Sequence, residues 1–485
     1  MNLKAVASGV SALLLVFSLM ALVNGIAFLL FSGEAWRWVS VKFTLVSAFL
    51  SALSLSLYLV FRKFTATELE EAFIVVSLFW LLAPLFSAIL YTVSFNMSPI
   101  DGYFESMSGL TGTGLTMISS LESAPPVVLM WRSLTQWIGG LGIVVFGGAL
   151  LPFIYRVIRS AYIVERGPKL APTLISSMRR LFTLYLAYTL LGVALLYASG
   201  MSFFEAVNHA MTGIATAGMT TRDGSMTYWY ESGKHGVLAA TVIIMILGAT
   251  NFTDLYNMSR GRVRAFLSSV EVRGFTAILA LLTLAVAIIS IASGSPDRFW
   301  IRLYNLVSAL TTTGFQVGSL KEEPEAYKAI LAVAMAIGGA TFSTAAGIKI
   351  KRIVVAVKGI LWELERPLIP RGAVITRRVG DLEVKHEDIT AVYAFILIHV
   401  IMAVALSIAF KTALDYYNIG GFSYADTLVE TLTAVSDIGL SVGLISQDSP
   451  TIIKILAIIA MYLGRIEYLP LYMIVSAYYR KKIAL

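Results

Sequence analysis

Four short strings in this chain are rich in glycine and hydroxyl side chains and hold almost nothing that acts as an acid, a base or a nucleophile. They read Ser108-Gly-Leu-Thr-Gly-Thr-Gly114-Leu, Thr212-Gly-Ile-Ala-Thr-Ala-Gly218-Met, Ser308-Ala-Leu-Thr-Thr-Thr-Gly314-Phe and Thr433-Ala-Val-Ser-Asp-Ile-Gly439-Leu. Aligned on the last glycine, the residue six before it is Ser or Thr, five before is Gly or Ala, four before is aliphatic, and the one after is apolar. Separations of 104, 96 and 125 residues make this an internal repeat. What such strings offer chemically is backbone oxygen. Glycine admits the left-handed φ that turns successive carbonyls to one side, and it leaves no side chain in the way. Four such loops about one axis could replace a cation's hydration shell with carbonyl oxygens. One string alone would serve equally well as a turn or a packing site for membrane helices. Four in one frame point to a ring.

The elements that must position them follow from the surrounding pattern. Each string is preceded by a short helix candidate, Tyr103 to Leu110, Phe203 to Ile214, Phe299 to Leu310 and Tyr424 to Val435. Two or three turns at about 1.5 Å per residue enter a leaflet without crossing it, and the helix C-terminus then presents partial negative charge to a cation. Around them lie stretches of about 20 apolar residues, the length that spans a bilayer. Ten occur, approximately over 5–31, 39–61, 72–95, 127–154, 181–199, 236–252, 274–293, 328–361, 389–410 and 451–479. The eighth is interrupted at Gly338-Gly339-Ala-Thr-Phe-Ser-Thr-Ala-Ala-Gly347, a break tolerable only where protein or cavity water satisfies the backbone. The expected architecture is an all-α polytopic membrane protein. Four pseudo-repeats of helix, re-entrant pore loop and helix surround one pore, after two extra N-terminal transmembrane helices. The divisions fall at 1–66, 67–160, 161–262, 263–370 (the repeat with the broken second helix) and 371–485.

Composition agrees. At 58% hydrophobic, 14% charged and mean hydropathy +0.80 over 485 residues, the chain is too apolar for a soluble protein. The first stretch follows only Lys4, is too long for the apolar region of a cleaved signal, and is read as retained. With the N-terminus inside, 25 of the 37 Lys and Arg fall on the inner side, at Lys4, 62–63, 156–180, 260–273, 349–385 and 480–482. The positive-inside rule therefore places both termini in the cytoplasm. Nucleic-acid binding would gather the +8 charge on one face, whereas here it is divided among short loops. The absence of Cys removes disulfides, thiolate metal sites and a cysteine nucleophile, and four His leave little for zinc. No His-Glu-x-x-His helix, Gly-x-Ser-x-Gly elbow or phosphate loop occurs, Gly347 being followed by Ile348 before Lys349. The pattern is not that of an enzyme.

Over residues 70 to 479 these strings resemble the Trk/Ktr/HKT superfamily of potassium transporters, and the two extra N-terminal spans resemble its Trk-type membrane subunit. Three further motifs are similar: Gln136-Trp-Ile-Gly-Gly-Leu-Gly142 with Pro152, Gly338-Gly339 through Gly347-Ile-Lys349-Ile-Lys-Arg352, and Gly464-Arg465-Ile-Glu467. The resemblance implies a potassium filter formed by Gly114, Gly218, Gly314 and Gly439, with carbonyls from the preceding Thr113, Ala217, Thr313 and Ile438 and flanking residues Gly112, Thr216, Thr312 and Asp437. A serine at the first glycine accompanies sodium preference in plant relatives. Here Gly114 implies potassium. It further implies a homodimer in the cell membrane with one pore per subunit, and a cytosolic Trk-A type subunit that binds NAD or ATP and controls opening. This chain has no Gly-x-Gly-x-x-Gly fingerprint of its own on a strand-helix unit. No cofactor is expected, K⁺ being the cargo. Phe342 and Ala345 stand where the family usually has glycine, and Ser436-Asp437-Ile438 where an Asn-Val pair is common.

On this reading ions pass acidic outer residues such as Asp101, Glu105, Glu205, Asp297 and Glu322, shed water in the ring, and meet a gate. The gate comprises Gly338, Gly339, Thr341, Phe342, Ser343, Thr344, Gly347 and Lys349, with Arg465 nearby. An intramembrane arginine is a functional candidate by default; the alternative is a structural pair with Glu467, Asp437 or carbonyls of the broken helix. Asp437 either draws cations or braces a neighbouring loop by accepting hydrogen bonds. Lys349, Lys351 and Arg352 either couple the gate to a regulator or anchor the inner interface. Glu105, His209, Asn305 and Glu430, each nine residues before its loop glycine, are expected to brace the pore helices, and His399 to pack as a hydrogen-bonded residue. The rival class is a secondary transporter coupled to H⁺ or Na⁺, a symporter for example, built on inverted repeats with a midplane site. Repeats of one orientation with glycine strings near the outer face favour the filter.

Overall fold

The computed structural model describes residues 2–31, 33–64, 69–142, 174–368, 377–380 and 382–468. Helices Leu3–Phe31 and Glu34–Phe61 pack on each other and on Leu69–Phe95, and four units follow. Their first helices are Leu69–Phe95, Leu174–Ala198, Val270–Ala292 and His386–Tyr416; their second helices are Pro126–Leu141, His235–Ala249, Glu325–Ile337 and Thr451–Arg465. Between them lie short helices Pro99–Thr111, Phe203–Ile214, Phe299–Leu310 and Tyr424–Val435. Among the described residues the only strands are a two-residue antiparallel pair, Arg378–Val379 with Leu382–Glu383. The boundaries expected at 66, 160 and 370 lie outside the described residues, as do Pro152 and the basic cluster at 480–482.

Three of the four short helices start at a serine cap. Ser202 and Ser423 form capping boxes with Glu205 and Asp426. The first helix begins four residues before the expected Tyr103, because Ser98 accepts from the Asp101 amide and Pro99 occupies the first position.

The second helices depart from expectation. Ten long stretches were expected with one interruption, yet among the described residues only six unbroken helices have the length and apolarity to cross a membrane; a seventh candidate, His235–Ala249 with Phe252–Ser259, bends by 111°. Every second helix ends within two residues of a common column of aliphatic residue and glycine: Ile138-Gly139, Leu247-Gly248, Ile337-Gly338 and Leu463-Gly464. In three units a short helix presses there. A Cβ on Gly248 would lie 2.6 Å from the Ile214 carbonyl oxygen, and on Gly139 or Gly464 it would overlap the Leu110 or Val435 carbonyl. In the third unit the helix resumes as Ile350–Glu365. The continuations expected for the first and fourth units lie outside the described residues.

The units close in a circle. Each second helix packs against the short helix of the next unit, and that of the fourth packs against Pro99–Thr111 of the first. Two ion pairs fasten this ring, Lys328 to Asp426 at 2.7 Å and Lys454 to Asp101 at 2.6 Å. One apolar cluster joins the N-terminal helices to the first two units around Phe17, Phe79, Trp131 and Trp229, and another joins the last two around Tyr327 and Phe410. The outward faces, such as Leu281, Leu284 and Ile288, are exposed and apolar, as lipid contact requires.

Candidate ion filter and gate

The four loops leave their helices by one device. The amide of the residue before the loop glycine donates to the carbonyl six before that glycine: Thr113 to Ser108, Ala217 to Thr212 and Thr313 to Ser308, each at 2.9 Å, and Ile438 to Thr433 at 3.0 Å. This is the closure of a helix end whose following residue is left-handed, and Gly112, Thr216, Thr312 and Asp437 have φ of +88°, +49°, +54° and +47°. The loop glycines are left-handed too, with φ of +85°, +72°, +88° and +99° at Gly114, Gly218, Gly314 and Gly439. The invariant hydroxyl closes two loops, Ser108 Oγ donating to the Leu115 carbonyl at 2.6 Å and Thr433 Oγ1 to that of Leu440.

The eight expected filter residues come together as a cycle. A Cβ built on Gly114 would lie 2.5 Å from the Ala217 carbonyl oxygen, and one on Gly439 would lie 2.5 Å from that of Thr113. On Gly218 and Gly314 it would meet the Thr313 and Ile438 oxygens closer still. Each glycine thus faces the carbonyl of the next loop, in chain order, round to the start. A side chain at any of the four would have to displace that oxygen.

The column nine residues before the glycine behaves as a brace in three units. The carboxylate or amide oxygen accepts from the amide three residues past the glycine: Glu105 from Met117 at 2.6 Å, Asn305 from Val317 at 2.9 Å and Glu430 from Val442 at 3.0 Å. His209 is the exception. Its Nδ1 contacts the Glu205 carbonyl at 2.7 Å, its Nε2 has no partner among the described residues, and the ring packs edge-on to Trp229. The ring is turned to its own helix and to Trp229, away from the amide a brace would hold. The second loop is held instead by residues from the first unit. Arg132 donates to the Thr220 carbonyl at 2.9 Å, while Gln136 donates to Ala217 O at 2.6 Å and accepts from Met219 N at 3.0 Å. Spacing within one unit could not reveal them, although their four-residue separation puts both on one helix face.

Arg132 also pairs with Glu105 at 2.6 Å, both buried. Arg132→Leu leaves that carboxylate without a cation and is expected to cost about 3–5 kcal/mol, read as a lower thermal unfolding temperature of the detergent-solubilised protein. The outer field is weaker than the acid count suggests, since Asp101, Glu105 and Glu205 are all ion-paired, the last to Arg222 at 2.7 Å.

The segment 338–349 lies against the loops. Gly338 and Gly347 form its neck, a Cβ on Gly347 falling 2.9 Å from Gly338 Cα, and Lys349 has φ +82°. Thr341 donates through its amide and hydroxyl to Glu271 at 2.6 and 2.7 Å. Phe342, at φ +56°, accepts from the Phe252 amide at 3.0 Å and packs edge-on to that ring. Ser343 donates to the Ala340 carbonyl at 2.6 Å, and Thr344 to those of Ile214 and Gly248 at 2.9 and 2.8 Å. Two contacts reach the loops directly: Thr216 Oγ1 to Thr344 Oγ1 at 3.1 Å, and Ala346 N to Thr312 Oγ1 at 2.9 Å. A β-branched residue at positive φ is strained, and both threonines use their side chains on this segment.

Arg465 donates to the Gly139 carbonyl and lies 4.8 Å from the centre of the Trp80 ring. Of the partners expected for it, Glu467 pairs with Arg352 at 2.6 Å, and the carbonyl it takes belongs to the first unit's break, not the third's. Asp437 Oδ1 accepts from Thr113 Oγ1 at 2.9 Å; its Oδ2 has no partner among the described residues. Asp437, Arg465, Lys349 and Gly347 line a cavity of about 50 Å³. His399 closes its side through Tyr468 OH at 2.8 Å and Ser436 Oγ at 3.3 Å. Arg352 also lies over the Phe395 ring at 4.1 Å, and Lys351 is partly buried.

Comparison with known proteins follows the same outline. The TrkH family, described as cation transport proteins, matches residues 39–480. A cation transporter of Methanocaldococcus jannaschii, itself uncharacterized, is 30% identical over 422 residues, 86% of this chain and 85% of that one. The Trk system potassium uptake protein TrkH of Halomonas elongata is 28% identical over 511 residues, 99% of this chain and 100% of the relative. The crystal structure of the potassium transporter TrkH from Vibrio parahaemolyticus superposes with a TM-score of 0.83 at 26% identity, covering 98% of each chain.

Proposed function

Since this chain belongs to the TrkH family of cation transport proteins, a transport family and not an enzyme family, we propose that it takes up potassium across the cell membrane through a carbonyl filter. Thr113, Ala217, Thr313 and Ile438 supply the oxygens, and Gly114, Gly218, Gly314 and Gly439 keep the bore clear. The observation that carries this reading is the cycle in which each glycine abuts the carbonyl of the following loop. Carbonyl rings replace the hydration shell of K⁺, and four inward helix ends add favourable potential. Relatives named for potassium uptake or transport match 98% or more of the chain.

Residues 338–349 and Arg465 serve as the gate, a role supported by the contacts of Thr344 and Ala346 with Thr216 and Thr312. Both termini face the cytoplasm. The protein works as a homodimer, and a cytosolic Trk-A type nucleotide-binding subunit sets its opening. A coupled carrier is the second reading, favoured by the unpartnered Asp437 oxygen beside the filter, which a proton could occupy.

The test is ion flux in liposomes holding the purified protein alone, under an imposed voltage, with K⁺, Rb⁺, Na⁺ and Li⁺ compared. K⁺ and Rb⁺ are expected to outpace Na⁺ and Li⁺ in a voltage-dependent way. Equal K⁺ and Na⁺ flux would sink the filter, and voltage-independent flux tied to a pH gradient would establish the carrier.

A further inference from the structure

The four ring carbonyls are not equivalent. Thr113, Thr313 and Ile438 carbonyls accept no hydrogen bond among the described residues, whereas Ala217 O accepts one from Gln136 Nε2 at 2.6 Å. The orientation of that amide is determined by its other end. Met219 N can only donate, so the oxygen of Gln136 must face it, at 3.0 Å, and the nitrogen must face Ala217. Gln136 is fully buried. One turn earlier on the same helix Arg132 holds the Thr220 carbonyl, so the second helix of the first unit grips the second loop on both sides of Gly218.

We propose that Gln136 is a positioning residue for ion selectivity, an inference that rests on the filter reading. A carbonyl oxygen has two lone pairs. The amide takes one and tethers the oxygen, leaving the other for the ion. Whether a carbonyl ring selects by its size or by the strength and number of its dipoles, a tethered carbonyl resists closing on a smaller ion. Released, the Ala217 oxygen can follow Na⁺ inward and the ring discriminates less.

The experiment compares K⁺ and Na⁺ flux at one voltage for the unaltered protein, Gln136→Met and Gln136→Glu, each normalised to monodisperse protein. Methionine keeps length and volume without hydrogen bonds. Glutamate, assayed at a pH high enough to ionise it in this buried site, keeps the acceptor for Met219 N but has no proton to donate to Ala217 O. Both variants are expected to lower the K⁺/Na⁺ ratio about fivefold, the factor that one ordinary hydrogen bond commands, chiefly by raising Na⁺ flux. An unchanged ratio in a folded variant, whatever its total flux, overturns the proposal, as does loss of folded protein in both, which would make Gln136 a packing residue. Equal K⁺ and Na⁺ flux in the unaltered protein would instead sink the filter reading itself.

Discussion

Gly314→Ala is expected to cut K⁺ flux well beyond tenfold while the protein still folds. Its Cβ would overlap the Ile438 carbonyl oxygen and lie 2.8 Å from the carbonyl carbon and 2.9 Å from Gly439 Cα. These neighbours are backbone, so no rotamer change relieves the collision, and the displaced oxygen belongs to the proposed filter. Left-handed strain adds about 1–2 kcal/mol for a residue with a Cβ. Gly443→Ala separates the two effects. It carries the same strain at φ +82°, but no atom lies within 4 Å of its Cβ, so its flux should stay near that of the unaltered protein. The measurement is rubidium uptake into liposomes per folded protein. Equal losses in the two variants would show that strain, and not the ring contact, is what matters.

Arg465→Ala is expected to raise K⁺ flux about tenfold, because on the proposed gate a fixed cation beside the path repels the permeating one by about 1 kcal/mol in water and about 4 kcal/mol at an effective dielectric constant of 20 at 4 Å separation. The side chain occupies a column that is Gly140, Ala249 and Gly339 in the other three units, so alanine restores what the fold accepts elsewhere. Loss of its bond to Gly139 and of its contact with Trp80 acts the other way, on stability. Arg465→Lys retains the charge and should leave flux low. If the alanine variant instead yields less folded protein with unchanged flux per molecule, Arg465 is a clamp between the fourth and first units.

Much of the fold was legible because its signals are local. Three of the four short helices begin and end at the residues expected upstream of their glycine strings. The breaks in the other second helices were not legible, since a glycine in an apolar stretch is ordinary in membrane helices. Only the carbonyl pressing on Gly139, Gly248 or Gly464 distinguishes these. Their recurrence after an aliphatic residue was nevertheless present in the sequence. For the brace column, spacing placed Glu105, Asn305 and Glu430 correctly and misjudged His209, because the loop it should hold is taken by Arg132 and Gln136.

By itself, then, the sequence determined the membrane class, the short helices, the four-loop frame and the family resemblance, all of which rest on composition or on spacing within one unit. Only the tertiary structure decided that the loops meet in chain order, which carbonyl is tethered, and where Arg465 and Asp437 find their partners. Those pairings join residues 81 to 326 positions apart. They exist because the second helix of each unit packs on the short helix of the next, and that circular closure leaves no trace in local periodicity.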